Sequence, residues 1–332
     1  MIPLLHHLFG DAAALDVPAL GSLQTFLAAH AARTAEFDVS IDRAVLGGFA
    51  SDRLGYAFAA GYGAALDALW RAAAQITKRT ETPPSAGPQP TSAQVPRREI
   101  RVLCATEEGG AHPRAIRTTL SRDASGELRI DGRKRWSTLA TDADELLVVT
   151  SMGADDTGRN RLRLVRVAAR ASGVVITPMP PPPFAPEIPH AEIVLQSVSV
   201  REDDVLPGDG YEAYLKPFRT LEDLHVHAAL LGYLVGVGRR YRWPDATLEQ
   251  LSALLVTVRA LAASPVDRAE THLAVAGLLG MADVFLHETE LLWERVGEDE
   301  RARWVRDRAL LAVAGKAREA RRVRAWQRLR EE

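Results

Sequence analysis

The segments Cys104-Ala-Thr-Glu-Glu-Gly-Gly110 and Leu128-Arg-Ile-Asp-Gly-Arg-Lys-Arg-Trp-Ser-Thr-Leu-Ala140 are the most informative parts of the sequence. The first segment ends in a glycine pair, which lets backbone N–H groups approach a ligand closely. The second reads as a strand and offers a flat aromatic face at Trp136 and a hydroxyl at Thr138. On their own, the two segments predict a loop and a strand that contact a ligand.

The composition is ordinary for a soluble globular protein with a substantial core. The chain has 332 residues, of which 47% are hydrophobic and 25% charged. A formal net charge of -2 gives no overall attraction to nucleic acid or to an anionic membrane. The single cysteine, Cys104, excludes an intramolecular disulfide and fits a reducing compartment. No signal sequence is evident and no window approaches the ~20 apolar residues of a membrane span, so we expect a cytoplasmic protein.

Hydrophobic periodicity changes twice along the chain, which predicts an α+β multidomain fold. Helical spacing runs from Val17 to about Lys78 and returns after Gly210, with breaks at Trp243-Pro244, Ser264-Pro265 and Gly297. Between these parts, short β-rich runs separated by turn residues are typical of a small antiparallel barrel or sandwich. The runs cover 100–104, 115–121, 128–130, 146–150, 162–167, 174–177 and 191–200.

These patterns predict a domain order. We predict an N-terminal α-helical domain (1–82), a proline-rich linker or loop (83–98), a β-barrel middle domain (99–210) and a C-terminal α-helical bundle (211–332). The linker follows from prolines that cannot donate to a helix or a sheet.

The two opening segments, together with this domain order, resemble the acyl-CoA dehydrogenase family. The family reads T-E-P-x-x-G-S-D and G-x-K-x-W-I-T-N-A at these places, and the two edges hold the isoalloxazine ring of FAD. The residues that fit are Thr106, Glu107, Gly109, Gly132, Lys134, Trp136 and Thr138. The resemblance covers nearly the whole chain and implies an acyl-CoA dehydrogenase-like fold in a shortened, divergent member.

By this resemblance, the cofactor is FAD. Thr106 would contact the pyrimidine side of the flavin, Trp136 would pack at the ring and Thr138 would bond near N5. The alternative for Trp136 is a partly buried tryptophan of the barrel. The predicted cofactor-binding set is completed by Glu107, Gly109 and His112.

Two departures from the family pattern concern the rest of FAD. His112 stands where the family's phosphate-contacting serine usually lies, and it can donate to a phosphate. The family grips the adenine and pyrophosphate with R-x-x-F-G and a glutamine from the neighbouring subunit. Only a trace of that clamp is present, in Arg240-Tyr-Arg-Trp-Pro244 with Gln250.

Glu222 is the candidate catalytic base. Family enzymes remove the α-proton of an acyl thioester with a glutamate, which most members carry in a C-terminal Y-E-G-T segment that is absent here. The isovaleryl and long-chain types carry it on the first helix of the C-terminal domain, where this chain has Leu221-Glu-Asp-Leu224. Burial would raise the pKa of such a carboxylate. Alternatively, Glu222 and Asp223 are acidic residues of a first helical turn, favoured by the helix dipole.

The resemblance implies a flavin-dependent oxidoreductase that acts on the CH–CH group of an acyl-CoA or related thioester in fatty acid metabolism. It further implies electron transfer to an electron-transfer flavoprotein and a homodimer. The missing Y-E-G-T base and R-x-x-F-G clamp support an alternative, a degenerate non-catalytic scaffold or binding subunit that has lost FAD or the base. No metal site is predicted, because His225 and His227 are two positions apart and face different ways on a helix.

The segment from Arg301 to Glu332 is rich in arginine. Such a run predicts the solvated face of a terminal helix, whose buried side would consist of Leu310, Leu311, Val313, Val323 and Trp326. A contact to CoA phosphates is a sharper alternative. Nucleic-acid binding ranks far below, because no recognised motif accompanies the run.

Overall fold

The structure is a computed structural model that describes residues 2–10, 21–80, 99–110 and 112–331. The chain divides into two compact units. Unit 1 comprises Met1–Ala65, Pro182–Ile188 and Arg219–Glu332, and unit 2 comprises Leu66–Pro181 and Pro189–Phe218. The predicted linker at 83–98 lies outside the described residues. The layout of helical ends and a middle sheet domain confirms the predicted α+β fold class.

The helices fall where the periodicity places them. They are α1 (Ile2–Phe9), α2 (Leu23–Arg33), α3 (Ser40–Phe49), α4 (Leu54–Thr80), α5 (Lys216–Arg240), α6 (Asp245–Ala262), α7 (Ala269–Glu288), α8 (Glu298–Asp307) and α9 (Gly315–Glu331). The three predicted breaks after Gly210 are confirmed, because α6 begins after Pro244, α7 begins after Pro265 and α8 begins after Gly297. The periodicity predicts neither helix α1 nor the 3-10 turn Arg308–Ala312.

Close contact between α3 and α5 organises the core of unit 1. A Cβ placed on Gly48 would lie 1.8 Å from the carbonyl oxygen of Ala229, and one on Gly232 would lie 2.1 Å from that of Val45. Only glycine lets the two backbones come this close. Buried residues such as Leu46 surround this crossing and form one apolar cluster with α6 to α8.

Helix α7 is more apolar than the sequence analysis expects. Its mean hydropathy reaches 1.3, and 44% of the apolar window is buried. By length and composition it could cross a membrane, so the expectation that no window approaches a span is corrected here. This is weak evidence, because core helices of soluble proteins pass the same test and α7 packs against α6 and α9.

Unit 2 is built around one curled sheet. Within the described residues its strands are β1 (Arg101–Cys104), β2 (Thr119–Arg122), β3 (Leu128–Thr138), β4 (Glu145–Ala154), β5 (Asn160–Ala168), β6 (Val174–Pro178) and β7 (His190–Val200). The order is β1-β4-β2-β3-β7-β6, with β5 paired to β4. Each strand matches one of the predicted β-rich runs.

The prediction of an antiparallel sheet is wrong at β4. Strand β1 pairs with β4 in parallel, and so does β2 through Thr119 and Ser151. Strand β5 pairs with one edge of β4. Strands β1 and β2 therefore share the other edge of β4, and both run in the same direction as β4. Alternating hydrophobicity shows where a strand lies but not which way its neighbour runs.

Candidate functional site

The two segments that dominate the sequence lie side by side in unit 2. The Arg135 N–H donates to the Thr106 carbonyl oxygen at 2.8 Å, which joins the end of the first segment to β3. Next, Glu107 and Gly110 exchange backbone hydrogen bonds of 3.2 and 2.9 Å and close a tight turn. Gly110 has a φ of +93°, which favours glycine. We call Glu107–Gly110 the glycine turn.

The carboxylate of Glu107 anchors the glycine turn from inside the protein. Its Oε1 lies 2.6 Å from Nζ of Lys134, whose side chain has 0% exposure. The same oxygen accepts from the N–H and hydroxyl of Thr118 at 3.0 and 2.8 Å, and Oε2 accepts from the Arg117 N–H at 2.7 Å. Burial acts to raise the pKa of Glu107, but Lys134 and the backbone donors outweigh it and lower that pKa. The carboxylate is therefore ionised and fully engaged.

Trp136 is turned out of the sheet by a β-bulge. Between Lys134 and Ser137, two residues of β3 stand opposite one residue of β7. Trp136 has a φ of +56° and its side chain is 50% exposed. A positive φ at a bulky residue costs on the order of 1 to 3 kcal/mol, and such strain clusters at functional sites. A half-exposed indole fits both the predicted flavin contact and the alternative of a partly buried tryptophan of the barrel.

Neighbouring groups hold the bulge in shape. The Trp136 N–H donates to Sδ of Met179 at 3.4 Å, and the indole meets the His190 ring edge-on at 6.0 Å. Half-buried Thr138 pairs with His190 across β3 and β7. The Leu139 N–H donates to the Pro189 carbonyl oxygen at 2.8 Å. Trp136 and Thr138 thus stand on a fixed edge of unit 2.

Gly109 lies within the glycine turn, and His112 follows it in the sequence. The exposed His112 ring accepts a hydrogen bond at Nδ1 from the Arg114 N–H, at 3.2 Å. In the neutral ring the proton is then on Nε2, which leaves that atom as a donor. A Cβ on Gly109 would lie 3.2 Å from Cβ of Ala115, so little room exists there for a side chain.

Glu222 lies in unit 1, on α5. Helix α5 begins at Lys216, so Glu222 is in its second turn, and the alternative that it is a first-turn acid is wrong. The half-buried side chain makes no hydrogen bond within the part of the chain that the structure describes. Burial, and next the charge of Asp223, raises the pKa of Glu222 to about 7. This carboxylate is thus poised to exchange a proton near neutrality.

Asp223, the next residue, is in the opposite situation. Its carboxylate accepts from Nε of Arg318 at 2.8 Å and from Nη2 of Arg321, both on α9. Arg318 also donates to the carbonyl oxygen of Leu311 at 2.7 Å. This double ion pair fastens α9 to α5 and commits Asp223 to structure. No local pattern signals the pair, because the partners lie far along the chain.

The two histidines of α5 serve separate contacts. Nδ1 of His225 bonds the Leu221 carbonyl oxygen and Nε2 bonds Oγ of Ser40, at 2.7 and 2.9 Å. Nδ1 of His227 bonds the Asp223 carbonyl oxygen at 2.7 Å. Burial lowers the pKa of both imidazoles to about 4, so both are neutral at neutral pH.

Comparisons with known proteins identify the fold. The family model for the acyl-CoA dehydrogenase middle domain matches residues 103–198, which contain both segments of the site. Butyryl-CoA dehydrogenase from Megasphaera elsdenii has a similar structure, with a TM-score of 0.67 and 14% identity over 92% of this chain and 89% of that one. This chain has an acyl-CoA dehydrogenase-like fold.

Two further solved structures share the acyl-CoA dehydrogenase-like fold. The prolyl acyl carrier protein oxidase AnaB has a TM-score of 0.62 and 16% identity over 92% of this chain and 89% of that one. FMN-bound TdsC from Paenibacillus sp. A11-2 has a TM-score of 0.59 and 19% identity over 90% and 82%. A search of curated proteins finds no match.

Of the five residues predicted for the buried side of the C-terminal segment, three are exposed. Val313, Val323 and Trp326 are 66%, 42% and 43% exposed. Leu310 and Leu311 do pack against the core. The inner face of α9 instead carries Arg318 and Arg321, because the buried Asp223 requires counter-charges there.

The trace of the adenine clamp has a structural role within unit 1. Arg240 Nη2 donates to Oε1 of Glu300 at 2.6 Å, and the Tyr241 hydroxyl donates to Oε2 at 3.0 Å. Trp243 is buried in the core. These groups hold α5 to α8 in the acyl-CoA dehydrogenase-like bundle.

Proposed function

We propose that the protein is a flavin-dependent oxidoreductase that acts on the CH–CH group of an acyl thioester, with FAD as cofactor. The observation that carries the proposal is Glu222, a half-buried carboxylate without a hydrogen-bond partner among the described residues and with a pKa raised to about 7. The names of the similar structures add support, because they include a butyryl-CoA dehydrogenase, an acyl carrier protein oxidase and an FMN-bound protein.

The residues of unit 2 fit a flavin. An exposed aromatic face at Trp136, a hydroxyl at Thr138 and the backbone of Thr106 stand beside one another on a rigid edge. Nε2 of His112 supplies a donor suited to phosphate, and the small Gly109 keeps the backbone accessible. Glu107 supports this set from within. A bound flavin would supply the acceptor for the hydride that leaves the β-carbon.

In this proposal Glu222 takes the α-proton of the thioester. No donor among the described residues occupies its lone pairs, and a pKa of about 7 leaves a large ionised fraction at neutral pH while still matching the base to its task. Loss of the α-proton to Glu222 and of the β-hydrogen as hydride leaves a 2,3-double bond. The substrate is an acyl-CoA or a related thioester.

The rest of the proposal follows from the family resemblance. We propose that electrons pass on to an electron-transfer flavoprotein and that the protein works as a cytoplasmic homodimer in fatty acid metabolism. The second candidate is a non-catalytic scaffold. It is favoured by one observation, namely that Arg240 and Tyr241, the trace of the adenine clamp, are occupied by Glu300.

The test begins with the visible absorbance spectrum of the purified protein, before and after adding FAD and desalting. We expect a retained flavin band that bleaches when a member of an acyl-CoA panel is added without oxygen. Glu222→Gln should keep the flavin band, but the band should bleach at least about 100-fold more slowly than in the wild type. Glu249→Gln, at an exposed position of α6, is the matched control and should bleach like wild type.

Two results would contradict the proposal in different ways. If neither sample retains flavin, the scaffold alternative is favoured. If flavin is retained and Glu222→Gln bleaches at the wild-type rate, Glu222 is not the base.

A further inference from the structure

A cavity of about 590 Å³ opens inside unit 1, between α7 and α9. Its apolar wall includes Leu279, Leu286 and Leu311, together with two indoles, Trp293 and Trp304, that stack at 4.3 Å. A volume of this size suits a small molecule. None of the residues assigned to the proposed reaction lines this cavity.

The arginines of the wall are all engaged in ion pairs. The pairs are Arg308 with Glu290 at 2.7 Å, Arg322 with Glu319 at 2.6 Å and Arg318 with Asp223 at 2.8 Å. Two other titratable groups of the wall, Asp283 and His287, are exposed to water. Asp283 is the wall carboxylate outside these pairs, and it is exposed to water. An anionic ligand would therefore find no unmatched arginine in the wall and would have to break an ion pair, whereas a cation would meet only a solvated carboxylate, which stabilises little.

Two buried side chains of the wall, Trp293 and His227, each keep one polar atom that can bond a ligand. Trp293 is 5% exposed, and its indole N–H has no hydrogen-bond partner within the described residues. A buried donor without an acceptor is rare in folded proteins and gains from a partner. His227 uses Nδ1 to donate to the Asp223 carbonyl oxygen, which leaves the lone pair of the neutral ring on Nε2. The wall thus offers one donor and one acceptor.

We propose that this cavity binds a neutral, mostly apolar molecule that carries a hydrogen-bond acceptor and a donor, such as an aromatic amide. The indole N–H of Trp293 meets the acceptor, and Nε2 of His227 meets the donor. The engaged arginines of the wall select against anions, and the solvated carboxylate of Asp283 gives a cation little.

The test uses isothermal titration of the purified protein with 2-naphthamide, 2-naphthoate and 2-naphthylmethylamine. These three probes share one ring system and are neutral, anionic and cationic at neutral pH. We expect the amide to bind about tenfold or more tightly than 2-naphthoate, which must displace an ion pair, and more tightly than 2-naphthylmethylamine, which gains little from the solvated carboxylate of Asp283. Trp293→Phe should weaken the amide by about fivefold, as expected for one lost hydrogen bond.

A pair of glycine variants locates the binding. Gly280 lines the cavity and Gly277 does not, and both lie on α7 with open space where a Cβ would stand. Gly280→Phe should abolish amide binding, whereas Gly277→Phe should leave it unchanged. Equal binding by both variants, tighter binding of a charged probe, or no binding of the amide to wild type would each overturn the proposal. None of these results bears on flavin retention or on Glu222.

Discussion

Replacing Glu222 by glutamine should stabilise the protein in alkaline but not in acidic solution. The pKa of this carboxylate is about 7 in the folded protein, against an ordinary value of 4.5. The folded state therefore holds a proton that the unfolded chain has already lost over this pH range. A difference of that size corresponds to about 3 kcal/mol, at ~1.4 kcal/mol per pKa unit.

The sign follows from proton binding. Below the unfolded pKa both states are protonated and the full stability is present. As pH rises through the folded pKa near 7, the folded state must ionise a half-buried carboxylate and stability is lost. Because water reaches part of the side chain, we expect a loss of about 2 kcal/mol rather than the full value. Glu222→Gln cannot ionise and avoids this loss.

The assay is denaturant unfolding of the full chain, followed by tryptophan fluorescence, at about pH 4 and about pH 8. Glu222→Gln should exceed wild type by about 2 kcal/mol at the higher pH and match it at the lower. Glu249→Gln, which removes an exposed carboxylate of α6, should stay within about 0.5 kcal/mol of wild type at both. A Glu222→Gln difference that is the same at both pH values would refute the reasoning.

Three further substitutions test the packing of each unit. Asp223→Asn leaves two arginines of α9 without their counter-charge, so hydrogen exchange in α9 should accelerate and the free energy of unfolding should fall by about 3 kcal/mol. Gly48→Ala places a Cβ 1.8 Å from a carbonyl oxygen and should cost about 3 kcal/mol or more in denaturant unfolding, whereas Gly63→Ala, with open space on helix α4, should gain up to about 1 kcal/mol. Lys134→Met leaves a buried carboxylate unpaired and should lower the thermal midpoint sharply, while Arg133→Met at an exposed ion pair should not.

Local patterns are sufficient to place most elements of the fold. Strands and helices follow from spacing, and the breaks at Pro244 and Pro265 follow from the missing backbone donor of proline. The parallel pairing of β1 and β2 with β4 could not be predicted, because strand direction depends on where distant segments meet. The close crossing of α3 and α5 at Gly48 also escapes prediction, since a glycine in a helix reads only as a weakness until its neighbour is known.

The sequence predicts only part of the candidate cofactor site. The resemblance predicts that the two segments lie together, and the hydrogen bond from Arg135 to Thr106 shows that they do. The motifs do not show which of their residues are buried for structural support and which are exposed to a ligand. Glu107, Lys134 and Trp136 all match residues of the two family patterns. The first two are buried inside the protein, whereas the third is exposed. What separates them is the β-bulge, which reverses the facing of one residue and leaves no mark in hydrophobic alternation.

The contrast between Glu222 and Asp223 sets the limit of sequence reasoning at this site. In the sequence they are adjacent acids of one helix, and the same family motif could be assigned to either with little change in spacing. The fold separates them through two arginines of α9 that reach one carboxylate and not the other. Asp223 is thereby held in a double ion pair, and its charge is the second cause, after burial, of the raised pKa of Glu222. Because Arg318 and Arg321 act to lower the pKa of Glu222, burial is the main cause that raises it. Helix α9, which resembled a solvated basic tail, distinguishes the two acids through the ion pairs that it forms with Asp223.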